Sequence, residues 1–153
     1  MNYDVLKFIP EIIKFDGAGL ELLCAKILIN NVPLIDIVQE YELKYAKKHN
    51  NKYLAGGYMY DHPEELYHRL NNYVKLFNYA PVLICECGCE GCADLTVVVE
   101  GSENAITWKN FDNPNKSNID RPGGFCDYKD FPTFHFDKKQ YYDEIDKLKK
   151  MKQ

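Results

Sequence analysis

Residues 80–108 of this chain have the sequence APVLICECGCEGCADLTVVVEGSENAITW. Three apolar runs within them, residues 80–84, 95–100 and 105–108, have the length and composition of β-strands. The last two runs are separated by Gly-Ser-Glu-Asn at residues 101–104, which predicts a hairpin with a four-residue turn. The first two runs are separated by four cysteines. This arrangement predicts antiparallel strands with a thiol-rich connection between two of them.

The sequence before this stretch predicts a second hairpin and a helix. Residues 5–15 and 20–29 have strand-like patterns and are separated by Asp-Gly-Ala-Gly, which favours a turn. Pro33 then opens a helix, because a proline in the first turn lacks only an N–H that would have no partner within the helix. Apolar side chains recur along this helix every three or four residues and predict its buried face, namely Leu34, Ile37, Val38, Tyr41 and Tyr45.

The C-terminal third predicts a loop, a strand and a helix. Residues 112–124 are rich in Asn, Gly and Pro and predict a long irregular loop, with Trp108 and Phe111 partly buried beside it. Residues 133–136 form a short strand. Asp137 follows as a helix cap, with Gln140 three residues later as in a capping box.

These elements together predict the fold class. We expect an α+β protein with a single domain over residues 1–153. Its centre is an antiparallel β-sheet of five or six strands with two main helices on one face. A chain of 153 residues with 46% hydrophobic and 27% charged residues has the composition of one ordinary globular domain.

Charge and hydropathy restrict the class of partner. The net charge is −4 and no long basic stripe occurs, which argues against nucleic acid as a partner. No run of 18 apolar residues and no signal-peptide pattern occurs, so we expect no membrane segment and a cytoplasmic location. In a reducing cytosol, clustered cysteines are metal ligands, redox groups or plain thiols more often than structural disulfides.

The cysteine segment, residues 85–92, carries the sharpest chemical signal. Gly88 and Gly91 allow the chain to turn and bring its thiols together. Zinc prefers four ligands in a tetrahedron, and four from one short stretch is tight, so a distant ligand such as Cys126 or His135 would relax the site. The candidate metal ligands are Cys85, Cys87, Cys89, Cys92 and Cys126. The alternative is a turn of reduced cysteines that pack as small hydrophobic side chains.

Redox chemistry is a third reading of the same segment. Cys89 and Cys92 match the C-x-x-C pattern, but a thioredoxin-type site needs a helix after the cysteines to lower the pKa of the nucleophile. Residues 93–99 are strand-like instead, which argues against an oxidoreductase. Cys24 lies among leucines and isoleucine and is predicted to be a core residue.

Function is predicted from surface composition, because no nucleophile elbow, phosphate loop or dinucleotide fingerprint occurs. We expect a non-enzymatic binding protein with another protein as partner, of the kind in which an immunity protein masks a toxin. The alternative is a zinc-dependent or thiol-redox enzyme centred on the cysteines. Acidic and tyrosine side chains supply electrostatic steering and large rigid contacts, and residues 58–67 are richest in them. The predicted contact residues are Tyr58, Tyr60, Glu64, Glu65 and Tyr67; the alternative is that the tyrosines cap the core.

The chain also resembles a family of uncharacterised small bacterial proteins. The shared pattern is C-x-C-G-x-x-G-C at residues 85–92, V/I-x-W-x-x-F at residues 106–111 with Pro114 just after it, and F-x-F-D-x-x-x-Y at residues 134–141. Residues 54–58 resemble an earlier part of the pattern. The resemblance implies a bacterial cytosolic protein and carries no activity.

The family pattern does not require a cysteine at position 89. The resemblance therefore implies that Cys85, Cys87 and Cys92 form the functional set within the cysteine segment.

Overall fold

Two antiparallel β-sheets organise the computed structural model, which describes residues 2–15, 19–87, 93–118 and 125–151. The first sheet contains β1 (Leu6–Phe15), β2 (Leu20–Ile29) and β3 (Val32–Pro33) in this order. The second has the order β4-β5-β6-β7-β8 and contains β4 (Tyr58–Met59), β5 (Tyr79–Cys85), β6 (Leu95–Gly101), β7 (Ala105–Asp112) and β8 (Phe134–Asp137). The predicted α+β class and five-stranded antiparallel sheet are confirmed.

The helices lie between and after these strands. They are α1 (Leu34–Lys48), α2 (Pro63–His68), α3 (Val74–Phe77), α4 (Pro114–Ser117) and α5 (Lys138–Lys150). A 3₁₀ turn occupies Lys52–Leu54, and a π-helical turn, Arg69–Tyr73, joins α2 to α3. No helix in the described part of the chain is long and apolar enough to cross a membrane.

The N-terminal hairpin forms a sheet of its own. Strands β1 and β2 pair along their full length, as the two runs of the sequence predict. A parallel bridge between Asp4, just before β1, and Phe136 of β8 connects this sheet to the larger one. The hairpin is not a further strand of the larger sheet. The side chain of Gln140 extends the link, since its amide donates to the Leu6 carbonyl at 2.6 Å and accepts from the Leu6 N–H at 3.2 Å.

The C-terminal helix follows the sequence prediction closely. The Asp137 carboxylate accepts from the backbone N–H of Gln140 at 3.0 Å, which caps the first turn of α5. Tyr141, Ile145 and Leu148 are buried, as their spacing predicts.

The predicted loop at residues 112–124 is partly regular. Strand β7 continues to Asp112, and α4 follows directly because the Asn113 side chain accepts from the Asn115 N–H. Lys116 of this helix is buried. Trp108 and Phe111 are buried and not partly buried as predicted, because both lie at buried positions of β7. Residues 119–124 lie outside the described part of the chain.

Candidate functional site

The cysteine segment begins where strand β5 ends. Cys85 is the last residue of β5 and is half-buried, whereas Cys87 lies on an exposed turn. Cys89 and Cys92 lie outside the described residues. The chain therefore leaves the strand before Cys87, so strand alternation does not place Cys87 on the face of Cys85.

Cys126, the fifth predicted ligand, is a buried residue in the segment between α4 and β8. Its thiol is directed at the Leu54 carbonyl, with 3.8 Å between sulfur and oxygen. Burial, together with the negative charge of Glu42, raises the pKa of Cys126 to about 11. Within the ranges that the structure describes, no three His, Cys, Asp or Glu side chains form a metal-binding group. The zinc site, which depends on Cys89 and Cys92 as well, stays a prediction.

A buried carboxylate lies next to the cysteine segment. Glu42 of α1 has no exposed surface and is held by four donors. Its Oε1 accepts from the Gly56 N–H at 2.9 Å and from the Lys116 ammonium at 3.0 Å. Its Oε2 accepts from the hydroxyls of Tyr58 at 2.6 Å and Tyr128 at 2.5 Å. We call these five residues the Glu42 network.

The Glu42 network joins parts of the chain that are far apart in sequence. A carboxylate moved from water to an interior loses several kcal/mol of solvation, and only charge pairing with good hydrogen bonds offsets that loss. Lys116 supplies the opposite charge and also donates to the Gly56 carbonyl at 2.6 Å. Burial and the Glu42 charge raise the pKa of the Tyr58 hydroxyl, which stays protonated and remains a donor. The arrangement is that of a structural anchor.

Backbone geometry explains why residues 56 and 57 are glycines. Gly56 and Gly57 have φ angles of +77° and +86°, a region that other residues rarely adopt. A Cβ on Gly56 would also lie 3.2 Å from the side chain of Gln39. The chain therefore turns tightly at these two glycines, and the turn directs the Gly56 N–H at Glu42.

The sequence contains one sign that Glu42 is buried. The buried face of α1 has a strict four-residue spacing, Leu34, Val38, Glu42 and Ala46. The sequence predicted Ile37, Tyr41 and Tyr45 as members of this face, but these side chains are only partly buried. A charged residue in phase with Leu34 and Val38 is itself a sign of a buried ion pair.

A pocket of about 540 Å³ opens beside the network. Tyr128 and Cys126 contribute to its wall together with polar and aromatic side chains, among them Asp112, Asp127, Phe111 and Phe131. Its volume is typical of a small-molecule site. The hydroxyls of Tyr41 and Tyr45 on α1 both donate to the carbonyl of Asp127, a residue of the pocket wall, at 2.5 and 2.8 Å. These bonds fix this part of the wall to α1.

The predicted contact stretch at residues 58–67 is only partly at the surface. Tyr58 and Tyr60 are 7% and 5% exposed, so the prediction that they face a partner is wrong. The reason is that each hydroxyl has an internal role: Tyr58 binds Glu42, and the oxygen of Tyr60 accepts from the Ile35 N–H at the start of α1. Burial raises the pKa of Tyr60 to about 12.

The remainder of that stretch is accessible. Glu64 and Glu65 are exposed on the first turn of α2, and Tyr67 is half-buried with the Lys149 ammonium 5.0 Å from its ring centroid. The His62 side chain caps α2 by accepting from the Glu64 N–H. A binding role for Glu64, Glu65 and Tyr67 stays a prediction.

A second surface feature is a group of exposed apolar side chains where α3 leads into β5. Tyr73, Phe77 and Tyr79 pack against one another, with ring centroids 4.6 Å apart for Tyr73 and Phe77 and 5.7 Å apart for Tyr73 and Tyr79. Phe77 is 51% exposed and the neighbouring Leu76 is 76% exposed. We call these four residues the aromatic patch. Asn78, with φ of +62°, ends α3 and turns the chain into β5, which brings the two halves of the patch together.

The aromatic patch borders the outer face of the five-stranded sheet. Tyr79 pairs with Val98 on β6, and Val98 pairs with Lys109 on β7, so the three side chains form a row across the sheet. Lys109 forms an ion pair with Glu100. An apolar patch with a charged rim is the composition of a protein interface.

Comparisons of the chain with protein-family models, curated proteins and solved structures gave no significant match.

Proposed function

We propose that this chain is a non-enzymatic cytoplasmic binding protein whose partner is another protein, of the immunity type that masks a toxin. The observation that carries the proposal is the aromatic patch. Leu76 and Phe77 present large apolar side chains to solvent, which costs solubility unless a partner covers them.

The construction of the patch supports binding. Tyr73 and Tyr79 hold Phe77 from two sides, and their hydroxyls are 3.4 Å apart. Rings that are already packed lose little conformational entropy on binding, which favours affinity. The ion pair between Glu100 and Lys109 lies on the adjoining sheet face and supplies a polar rim.

The first partner to test is the product of the gene next to that of this chain. We expect the two purified proteins to elute as one complex in size-exclusion chromatography. The double variant Leu76→Ser/Phe77→Ser should lose at least tenfold in affinity, since buried aromatic and aliphatic anchors dominate interface energies. Its melting temperature should change little, because substitutions at exposed positions usually cost within about 0.5 kcal/mol.

The control is Tyr53→Ser. Tyr53 is 79% exposed on the 3₁₀ turn and belongs to neither the patch nor the stretch at residues 58–67. It should bind as the native chain does. A complex that survives the double variant but weakens in Glu64→Lys/Glu65→Lys would move the interface to α2, and the absence of any complex with the native chain would contradict the immunity-type role.

A zinc-dependent or thiol-redox role remains the second candidate. The observation in its favour is that Cys85 and Cys87 lie at a strand end where thiols remain accessible. If zinc is bound, metal analysis of the purified protein should detect it, and Cys85→Ser/Cys87→Ser should release it and lower the melting temperature. A protein without metal, with an unchanged melting curve in this variant, would leave only reduced thiols.

A further inference from the structure

Strand β1 is an edge of the three-stranded sheet, whose order is β1-β2-β3. The main-chain groups of successive residues in a strand point alternately to its two sides. Just before β1, the N–H and the carbonyl of Val5 both bond to Asn30, on the side of β2. The register with β2 is unbroken from Leu6 to Phe15, so the even-numbered residues of β1 direct their N–H and carbonyl groups away from β2.

Helix α5 takes the place of a neighbouring strand along the first part of this edge. The side-chain amide of Gln140 accepts from the Leu6 N–H and donates to the Leu6 carbonyl, as a residue of a paired strand would. One turn later, Oε1 of Glu144 accepts from the Phe8 N–H at 3.0 Å. Four residues of a helix rise about 6 Å and two residues of a strand about 6.8 Å, so successive turns of α5 meet successive outward residues of β1.

This cover ends at Pro10. Pro10 is the next outward residue and has no N–H, and the next position on α5, Leu148, has no acceptor in its side chain. The helix itself ends at Lys150. Ile12 and Lys14 continue the strand, and within the ranges that the structure describes no residue bonds to their outward main-chain groups. We call the outward groups of Pro10, Ile12 and Lys14 the open edge.

A recess with basic side chains lies beside the open edge. It has a volume of about 380 Å³ and lies between β1 and the last turn of α5. Three apolar and two basic side chains line it, namely Phe8, Pro10, Met151, Lys147 and Lys150. Lys147 is paired with Glu144, so the excess positive charge of the recess lies on Lys150.

The opposite face of β1 is partly apolar at the same level. The side chains of odd-numbered residues lie on this face, and Ile9 is 37% exposed there. Leu22, which pairs with Ile13 across the hairpin, is 41% exposed. A strand added at the open edge would therefore have basic side chains near one of its faces and apolar side chains near the other.

We propose that the open edge of β1 binds an extended segment of another protein in which acidic and apolar side chains alternate. The segment adds a strand to the three-stranded sheet, with its acidic side chains towards Lys150 and its apolar side chains towards Ile9 and Leu22. In this mode of recognition main-chain hydrogen bonds, here to Ile12 and Lys14, supply affinity, and the alternate side chains supply specificity. The open edge and the aromatic patch belong to different sheets, so this inference goes beyond the proposed function and does not depend on it.

Charge disfavours a second copy of this chain as the added strand. Antiparallel pairing of two β1 strands at their open edges sets Lys14 of one copy opposite Pro10 or Ile12 of the other. Lys14 would then approach the recess that contains Lys147 and Lys150, and like charges repel. Proline and lysine are also residues with which edge strands avoid pairing with their own copies.

Hydrogen exchange measured residue by residue tests the open edge. Two short capped peptides are the probes, one of alternating valine and glutamate and one of alternating valine and lysine. At saturation, the valine–glutamate peptide should slow exchange of the Ile12 and Lys14 amides at least tenfold, because their N–H groups then donate to the added strand. The Phe8 amide, which is already bonded to Glu144, should not change. The valine–lysine peptide should protect neither Ile12 nor Lys14.

Two variants locate the binding. Ile12→Pro removes one N–H from the open edge, and the fold should survive because proline is tolerated where the N–H of an edge strand faces solvent. Lys150→Glu reverses the charge beside the recess. Each should weaken binding of the fluorescein-labelled valine–glutamate peptide at least tenfold, as measured by fluorescence anisotropy. Lys139→Glu is the matched control, since Lys139 lies in the first turn of the same helix with 85% of its side chain exposed, and it should bind as the native chain does.

Equal protection by the two peptides, or protection by neither, would overturn the proposal. An unchanged affinity in Lys150→Glu would do the same, and this variant decides if Ile12→Pro does not fold. Protection of Ile12 and Lys14 that rises with protein concentration in the absence of peptide would assign the open edge to a second copy of the chain instead.

Discussion

The single tryptophan shows how one polar atom is accommodated in an otherwise aromatic core. Trp108 and Tyr141 are buried, with ring planes close to perpendicular. The indole N–H of Trp108 donates to the hydroxyl oxygen of Tyr141 at 3.1 Å. Phe136 packs against both rings. A buried indole N–H without an acceptor would lose its hydration and gain nothing in return, so Tyr141 is needed for its oxygen as well as its ring.

Tyr141→Phe should therefore destabilise the protein although it removes a single atom. The expected loss in the free energy of unfolding is about 1–3 kcal/mol, the cost of leaving a buried donor unsatisfied. Urea denaturation followed by tryptophan fluorescence measures it. Tyr142→Phe is the control, since Tyr142 is 46% exposed, and it should cost less than about 0.5 kcal/mol. Equal losses in the two variants would show that the hydrogen bond contributes nothing specific.

At the scale of single elements, the sequence predicted what depends on near neighbours. The cap of α5 involves Asp137 and Gln140, which are three residues apart, and the pattern is visible in the sequence. The same is true of the β6–β7 turn, where the Ser102 N–H donates to the Ala105 carbonyl at 2.8 Å. Hairpins and caps use contacts of short sequence separation, so periodicity and turn chemistry are sufficient to place them.

The element that the sequence did not predict is the one that depends on distant partners. α4 is only four residues long, and its burial follows from Lys116 reaching Glu42, 74 residues earlier in the chain. The sequence also places Tyr58 at the surface, because the partners that bury it, Glu42 and Asn113, lie 16 and 55 residues away. The sequence neighbours of Tyr58 and Lys116 give no sign of such distant partners; only the phase of Glu42 on α1 indicates a buried ion pair. The sequence therefore predicts a candidate site at the cysteine segment and does not predict the Glu42 network.

Helix α2 illustrates a boundary that composition predicted too early. Residues 61–71 have the pattern of a short helix with acids in its first turn, which predicts an end near residue 71. In the structure, the π-helical turn Arg69–Tyr73 and α3 carry the helix on to Phe77. Arg69 is buried against Asp61 at 2.5 Å, which holds this turn to the start of α2. Asn78 in the left-handed conformation then ends the helix. The aromatic patch exists because of this extension.

Across the described residues, several ionisable side chains are buried and have a raised pKa. Burial is the main cause that raises the pKa of the hydroxyls of Tyr58, Tyr128 and Tyr141. Burial also raises the pKa of Tyr60 to about 12 and that of Cys126 to about 11. These groups lie in or just after β4, in the segment before β8 and on α5, so their protonation is linked to the folding of several elements and not of one.

The protein should therefore lose stability in alkali and not at neutral pH. A pKa raised in the folded state means that the unfolded chain releases its proton first, so the free energy of unfolding falls as pH rises above the unfolded pKa. For Cys126 the fall begins near pH 9 and ends near its folded value of about 11, and for the tyrosines it begins near pH 10. Each group contributes at most about 1.4 kcal/mol per pH unit within its window.

Urea denaturation followed by circular dichroism at pH 7.0, 9.0 and 10.5 measures this loss. Cys126→Ala should be less stable than the native protein at pH 7, because it leaves a cavity, yet should lose less stability between pH 9 and pH 10.5. Val97→Ala, which leaves a cavity in the core without removing an ionisable group, is the control and should follow the native pH dependence. If Cys126→Ala lost stability as steeply as the native protein over that interval, the Cys126 thiol would not be among the groups that link folding to pH, and the alkaline loss would belong to the buried tyrosines alone.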